Sequence, residues 1–457
     1  MEKRKSNRIE TPLPESMIHL IQSFLSAKEA AQTTLLCKSW YDAWLTRPAL
    51  AFNQRNFKNQ ALEEFSKFAV KTMRRYQDSN LKIESLRLKM QGCTSSSERL
   101  ARNLIMDAMK MGATDLKLEF FPTAYTLRSE TLLRLSVSGC EIYGHVICPM
   151  LKALSLDRVL LKSEDMLADI ISCCNLIEEL SLSHSYICTN RCIGLSGKDV
   201  PELHKLKRLH LEAVRVDTFL FDLETRFPCL NDLSLVSCHG YGLQAIRVTS
   251  FSLQSISIVQ AVALELEFEV PNLVVFSYSG LGIPSISIEA RDESESHISI
   301  ERHHIETSSW YLDLKKLLAQ LNQSRINLTI SIVGSQPRGI ADVDDFQAVA
   351  KPVSVEKLRL EANYDARCIL IGLFGICRPK FVTHCWLGRS WWKLDDQSIR
   401  NLCESLIGPN CEQYVFGQFD LKEVNMEVYD DDAAEWRPLL LQDEIPNQRK
   451  SRFHLKW

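Results

Sequence analysis

Cysteine and histidine are the residue types here that suit nucleophilic catalysis or metal binding. The 457-residue chain holds 15 and 11 of them. Their spacing decides between those uses. No Cys-x-x-Cys pair occurs. Cys188 and Cys192 stand four apart, Cys173 and Cys174 are adjacent, and neither spacing repeats as a tetrahedral metal site requires. His384 and Cys385 are the right types for a base and a nucleophile. They are neighbours in an extended run, so alternation sends their side chains to opposite faces. His303 and His304, beside Glu301 and Glu306, lack a second set of ligands and read as a solvated loop. Asp430, Asp431 and Asp432 read as a solvated acidic turn, and Trp386, Trp391 and Trp392 as aromatic packing. Neither a phosphate-cradling GxxxxGK[ST] loop nor a GxGxxG fingerprint is present. No catalytic residue, metal or cofactor is therefore expected.

The composition points the same way. Hydrophobic residues make up 45% and charged residues 24%, as in ordinary globular proteins. The formal net charge is -3, from 54 basic and 57 acidic residues, which argues against a nucleic-acid partner. No run approaches the roughly 18 apolar residues of a membrane span. MEKRKSNRIE has basic residues with no apolar stretch behind them, unlike a secretory signal. Scattered thiols in such a chain fit a reducing cytoplasm or nucleus.

Two kinds of element carry the remaining pattern. The first is helical and runs from Arg8 to Phe52. Pro14 suits a first helical position. Met17, Ile21 and Phe24, with Ile18 and Leu25, give a broad apolar stripe, and Ser26–Ala27 break it. Lys28 to Leu36 reads as a second helix. Cys37, Trp40 and Trp44 lie on a third, which Pro48 ends. So short a unit cannot bury all these side chains within itself, so apolar surface is left for a partner or for the next domain.

The second element is a strand motif, LxxLxL. It occurs at Ile83/Leu86/Leu88, Leu132/Leu135/Val137, Leu151/Leu154/Leu156, Ile177/Leu180/Leu182, Leu206/Leu209/Leu211, Leu230/Leu233/Leu235, Leu253/Ile256/Ile258 and Leu273/Phe276/Tyr278, with Leu116/Leu118 weaker. Successive copies are 19 to 30 residues apart, the period of leucine-rich repeats. Alternation buries the outer leucines and exposes the residue between them. The exposed ladder reads Arg87, Lys117, Ser136, Ser155, Ser181, His210, Ser234, Ser257 and Ser277. Cys140 and Cys238 follow their motifs by three residues and read as buried packing thiols. Beyond Ile283 the pattern degrades, and RDESESHISIERHH reads as an exposed charged loop or a weak strand pair. Helices are expected at Trp310–Leu321, Asp342–Ala350, Ala366–Ile376 and Ser398–Leu406. Strands are expected at Ile326–Ile332, Phe381–Trp386, and at the motifs of Val355/Leu358/Leu360 and Leu421/Val424/Met426.

The run LPESMIHLIQSFLSAKEAAQTTLLCKSWYDAWLTRPAL resembles the F-box of plant F-box/LRR-repeat proteins, commonly LPxxxLxxILSFLPTKEAxxTSxLSKRWxxLW. The matches include Leu13, Pro14, Ile18, Ile21, Phe24, Leu25, Lys28, Glu29, Ala30, Thr33, Leu36, Lys38, Trp40 and Trp44. Ser26 stands where Pro is usual and Ser39 where Arg is usual. The C-terminal FGICRPK, LKEVNMEVYDDDAAEWRPL and RFHLKW resemble the tail of the same family, without a match to its separate FBD module.

The resemblance implies a non-catalytic substrate receptor of a ubiquitin ligase. Its F-box would dock on a Skp-type adaptor, and through it on cullin and RING subunits, while its repeats hold an unidentified protein substrate. Carried over residue by residue, the adaptor-binding set is Leu13, Pro14, Ile18, Ile21, Phe24, Leu25, Leu36, Trp40 and Trp44. The candidate substrate face is Ser155, Ser181, His210, Ser234 and Ser257. The alternative is a leucine-rich interaction scaffold with no part in ubiquitin ligation. The expected fold class is α/β. A three-helix F-box over 7–52 is followed by a helical linker over 53–80 and leucine-rich repeats over 81–290. A charged loop over 291–309, degenerate repeats over 310–430 and a tail over 431–457 complete it. The repeats would form a curved parallel sheet with helices and loops on its convex side.

Overall fold

The fold is described from a computed structural model. It covers residues 13–25, 27–57, 61–91, 94–119, 127–142, 144–163, 165–187, 194–195, 202–216, 223–238, 245–260, 265–289, 294–303, 308–333, 351–362, 367–386, 420–430, 435–439 and 451–457. The helices expected at 342–350 and 398–406 lie outside the described residues. The chain divides into two compact units, Met1–Gly194 with Lys198–Leu206, and Leu195–Gly197 with Lys207–Trp457.

The first unit opens with three helices, α1 (Glu15–Ser23), α2 (Ala27–Gln32) and α3 (Lys38–Thr46). The span of the first domain needs a correction. Ala49–Asn53 is the first strand, β1, of a parallel ladder. It pairs with β2 (Ser85–Lys89), and the ladder continues through β3 (Asp115–Glu119), β4 (Arg134–Ser138), β5 (Ala153–Asp157) and β6 (Glu179–Ser183). The expected linker is also corrected. α4 (Leu62–Asp78) buries Phe65, Ala69, Met73 and Tyr76, so it is a core helix. The LxxLxL reading gave no sign of α5 (Ser95–Lys110) or α6 (Asp165–Ser172). Their apolar faces alternate with period 3.6 between the strand motifs, and Thr94 with Ser97 closes a capping box at the start of α5.

The second unit continues the pattern in its own parallel ladder. Its strands are β7 (Arg208–Glu212), β8 (Asp232–Val236), β10 (Ser255–Gln260), β12 (Val275–Gly280), β14 (Glu295–Arg302), β15 (Arg325–Ile332), β16 (Val353–Ala362) and β17 (Cys377–Trp386). Between them, β9 (Ala245–Thr249), β11 (Glu265–Glu269) and β13 (Ser285–Glu289) make a second parallel ladder where helices or loops were expected. The two ladders meet across the core, where the rings of Phe268 and Phe276 lie 5.8 Å apart. The helix α7 (Ser308–Gln320) packs beside β13, and its Gln320 accepts the Ile286 N–H at the edge of that ladder.

The charged loop expected over 291–309 is likewise corrected. Glu295–Arg302 is an eight-residue strand paired on both sides. Ile298 and Ile300 bury as the motif requires, but Ser296 holds the third inward position, bonded to Ser324 at 2.8 Å. A serine in a leucine position hides the strand from a hydropathy search. The tail is corrected too. β20 (Ser451–Lys456) lies antiparallel between β17 and β18 (Glu423–Asp430), and β19 (Glu435–Leu439) pairs antiparallel with β18. The motif at Leu421/Val424/Met426 is therefore a strand but not a parallel repeat.

A left-handed residue follows most of the leucine strands. Gly139, Arg158, His184, Ala213 and Ser237 have φ between 46 and 63°. Each stands two residues after the last inward apolar residue of its strand. Four of the five residues are not glycine, and a side chain there costs about 1–2 kcal/mol. The turn persists because each N–H shown donates to the next strand: Gly139 to Asp157 and Arg158 to Ser183, both at 2.8 Å, and Ser237 to Val259 at 2.7 Å. The following residue then drops into the core, as Cys140, Val159, Ser185, Val214 and Cys238.

Packing in the second unit leaves one position with no room. α8 (Arg367–Ile376) lies against α7, and a Cβ on Gly372 would fall within 2.8 Å of the Tyr311 hydroxyl. Tyr311 is itself only 4% exposed and stacks edge-on against Trp310, so it cannot swing away freely. Gly372→Ala should destabilise the protein by about 1–3 kcal/mol, read as a lower midpoint in urea unfolding.

Candidate functional site

Two surfaces qualify as candidate sites, the exposed side of the N-terminal helices and the outward faces of the two ladders. The first is on the three N-terminal helices. α1 carries apolar residues on more than one side, and tertiary packing divides them. Its inward side carries Ile18, at 0% exposure, and Gln22. Gln22 donates to Thr33 Oγ1 at 3.0 Å and to the Trp40 carbonyl at 3.4 Å, tying α1 to both later helices. His19 Nε2 lies 3.0 Å from the Ala43 carbonyl, and Thr46 donates to Glu15 at 2.5 Å. The opposite side carries Leu13, Met17, Leu20 and Phe24, spaced as one helical stripe and all exposed. Phe24, Leu35 and Leu36 are the extreme cases, at 81, 87 and 66%.

The carried-over adaptor set therefore splits. Leu13, Pro14, Phe24 and Leu36 are exposed, while Ile21, Leu25, Trp40 and Trp44 are half-buried. Ile18 is corrected: its side chain is core and offers no surface. Trp44 is covered by the Arg47 guanidinium, 3.4 Å from the ring centre. Burial lowers the pKa of Arg47 to about 10. The Arg47 carbonyl accepts the buried Tyr76 hydroxyl at 2.8 Å, and Arg75 donates to the Leu45 carbonyl at 3.2 Å. Those two bonds tie α3 and its C-cap residue to α4. Met17, Leu20, Leu35 and Tyr41 are exposed apolar residues missing from the set, and a helical wheel marks the first two.

The second surface is the outward face of each ladder. Ser136, Ser155 and Ser181 stand in register in the first unit. His210, Ser234, Ser257, Ser277, His297, Asn327 and Lys357 do so in the second. His210 Nδ1 lies 3.0 Å from Ser234 Oγ. Ser257 opens a shallow depression of about 200 Å³ that extends over Ser277, Ser279, His297, Ser299, Asn327 and Thr329. Ser155 and Ser181 have no part in it. His297 and Ser299 escape sequence reasoning because β14 reads as a loop, and Asn327 and Thr329, on a strand that was expected, lie outside the LxxLxL ladder from which the face was chosen.

The buried thiols among the described residues have packing roles. Cys140 donates to the Ser138 carbonyl at 3.1 Å and Cys238 to that of Leu211 at 3.3 Å. Burial pushes Cys148 and Cys377 up to about 12 and Cys174 to about 11, so none is an activated nucleophile near neutral pH. Among the described residues no group of three His, Cys, Asp or Glu is placed to hold a metal ion. His384 and Cys385 are consecutive in β17, with their side chains outside the described residues. His304, Glu306, Trp391, Trp392, Asp431, Asp432, Cys188 and Cys192 also lie outside them.

Two outcomes follow from these assignments. Ile18→Asp should cost the helical unit about 3–5 kcal/mol, whereas Phe24→Asp should leave the urea midpoint within about 0.5 kcal/mol of the parent. Native-state alkylation at pH 8 should label the exposed Cys37, Cys173 and Cys229 and spare Cys148, Cys174 and Cys377, as read by peptide mass spectrometry.

A leucine-rich-repeat family model matches residues 150–175, the stretch holding β5 and α6. One F-box/LRR-repeat protein of Arabidopsis thaliana is 29% identical over 197 residues, covering 37% of this chain and 38% of that protein. A second is 28% identical over 200 residues, covering 44% and 41%. An F-box/FBD/LRR-repeat protein of the same plant is 27% identical over 262 residues, covering 52% and 55%. The chain thus spans roughly two-fifths to a little over half the length of these curated relatives. Over that share, the chain is similar to the plant F-box/LRR-repeat family.

Proposed function

We propose that this protein is a substrate receptor of a Skp–cullin–F-box ubiquitin ligase. Its N-terminal helices would dock on a Skp-type adaptor, and its repeat sheets would hold the target protein. The observation that carries this reading is the exposed apolar surface of Leu13, Met17, Leu20, Phe24, Leu35 and Leu36 on a helical unit built otherwise to bury its core. So many large apolar side chains left exposed on one small unit suit a protein interface. The names of the relatives support the choice of an F-box over a plain helical cap.

The mechanism is one of position. Adaptor contact would rest on burying a few large side chains, each giving about 1.5–3 kcal/mol. The α4 bonds to Leu45 and Arg47 join that docking unit to α4, whose Phe68 meets Phe52 of the first ladder. A rigid connection matters because such a receptor accelerates transfer by holding a substrate lysine near the loaded conjugating enzyme. Nothing in this scheme asks the chain for acid–base or nucleophilic chemistry. The cytoplasm or nucleus, where the ligase machinery works, is the compartment this reading requires.

The test is capture of the full-length chain by a purified Skp-type adaptor on a sizing column. Wild type should co-elute. Phe24→Asp with Leu36→Asp should weaken binding at least 100-fold with the fold intact by circular dichroism. Separate elution of the wild type at micromolar concentrations would overturn the reading and leave the scaffold alternative.

A further inference from the structure

The depression on the second ladder has chemistry that its own fold leaves unused. Its floor spans β10, β12, β14 and β15, about 14 Å at the usual strand spacing. Among the described residues, the hydroxyls of Ser257, Ser277, Ser279, Ser299 and Thr329 make no side-chain hydrogen bond. Asn327 adds a stronger signal. Its Nδ2 donates to Glu295 Oε1 at 2.6 Å, which fixes the amide orientation, and its Oδ1 is buried with no donor. His297 stands between them, 3.6 Å from Glu295 Oε1 and 3.5 Å from Asn327 Nδ2.

These groups limit what can bind. Hydroxyls both donate and accept, and a peptide main chain offers both in alternation. Ile258, Val259, Tyr278 and Ile298 also line the depression, but about 200 Å³ is far too little for a helix 10–12 Å across. An extended segment laid across the strands fits its width. Charge sets the direction of recognition. Lys357 of β16, in register with Asn327, is exposed and makes no ion pair among the described residues. Arg359 beside it is already paired with Glu361 at 2.7 Å. Lys357 at the end of a hydroxyl floor suits an acidic side chain, and with Arg325 of β15, also exposed on that face, it is too little charge for nucleic acid.

We infer that this depression binds an extended peptide of the target protein, with small polar residues over the serine floor and an acidic side chain against Lys357. The inference rests on the reading of the repeat sheets as the substrate-holding face. It places recognition on 257–357, where sequence reasoning spread it over both units.

A random linear peptide library displayed on phage, panned on the full-length chain, tests it. Peptides enriched on the wild type should carry Asp or Glu after small polar residues, and their affinity is read by fluorescence polarisation. Ser277→Arg fills the depression and should weaken binding at least tenfold. Lys357→Glu, on the surface, should weaken it at least fivefold and favour a matching peptide with Lys in place of the acid. If Ser277→Arg does not fold, Ser279→Arg takes its place. Failure to enrich any peptide over the arginine variant would overturn the proposal, as would peptides indifferent to both changes. Adaptor capture on the same samples keeps the two readings apart, since it should be unaffected by every one of these variants.

Discussion

The structure depends on one constraint: no repeat can bury its own leucines. In each unit an inward pair such as Leu154 and Leu156 is covered because its equivalents Leu135 and Val137 on one side, and Leu180 and Leu182 on the other, stand in exact parallel register. A slip of one residue would turn every leucine outward and every serine inward. Register is therefore over-determined, and strained turns are tolerated inside it. Arg158 and His184 hold left-handed backbone that an isolated loop would relax. The bonds from those turns to the next strand pin the repeats at a second point.

The same constraint shapes both candidate sites. A parallel ladder that fixes its buried residues also fixes the residues between them, so the outward face is a rigid grid at strand spacing. Ser257, Ser277, His297 and Asn327 come from four segments separated by 20 to 30 residues, yet stand side by side. A grid of small side chains lets a partner approach the backbone closely, and polar groups that bond only weakly to one another stay ready for it. The helical unit works differently. Its core is small, Gln22 and Ile18 occupy the inward side of α1, and the apolar residues left over cannot be hidden. Their exposure is a consequence of size as much as of sequence.

Several helices lie between the strands without disturbing register. α4 packs on α5 and α5 on β2 in the first unit, and α7 and α8 pack on each other in the second. Gly372 shows how close that last contact is, since a single methyl group has nowhere to go. Arg452 has a related role at the end of the second sheet. It donates to Glu427 at 2.6 Å and lies over the rings of Phe381 and Trp436, so an antiparallel hairpin closes a parallel array. Edge strands are otherwise prone to pair with other chains.

The sequence by itself determined the repeats, because burying alternate leucines at a period near 24 leaves a signature that hydropathy alone can read. It also determined the three N-terminal helices, through Pro14, the 3.6-residue spacing and Pro48. Only the tertiary structure decided which side of α1 is core, since Ile18 and Phe24 are equally apolar and differ only in what packs on them. The same holds for β14, where Ser296 takes a leucine's place through a bond to Ser324, a residue 28 positions away. The C-terminal strands were hidden for a like reason. Their pairing is antiparallel and set by contacts between distant segments, and such contacts leave no local period in the chain.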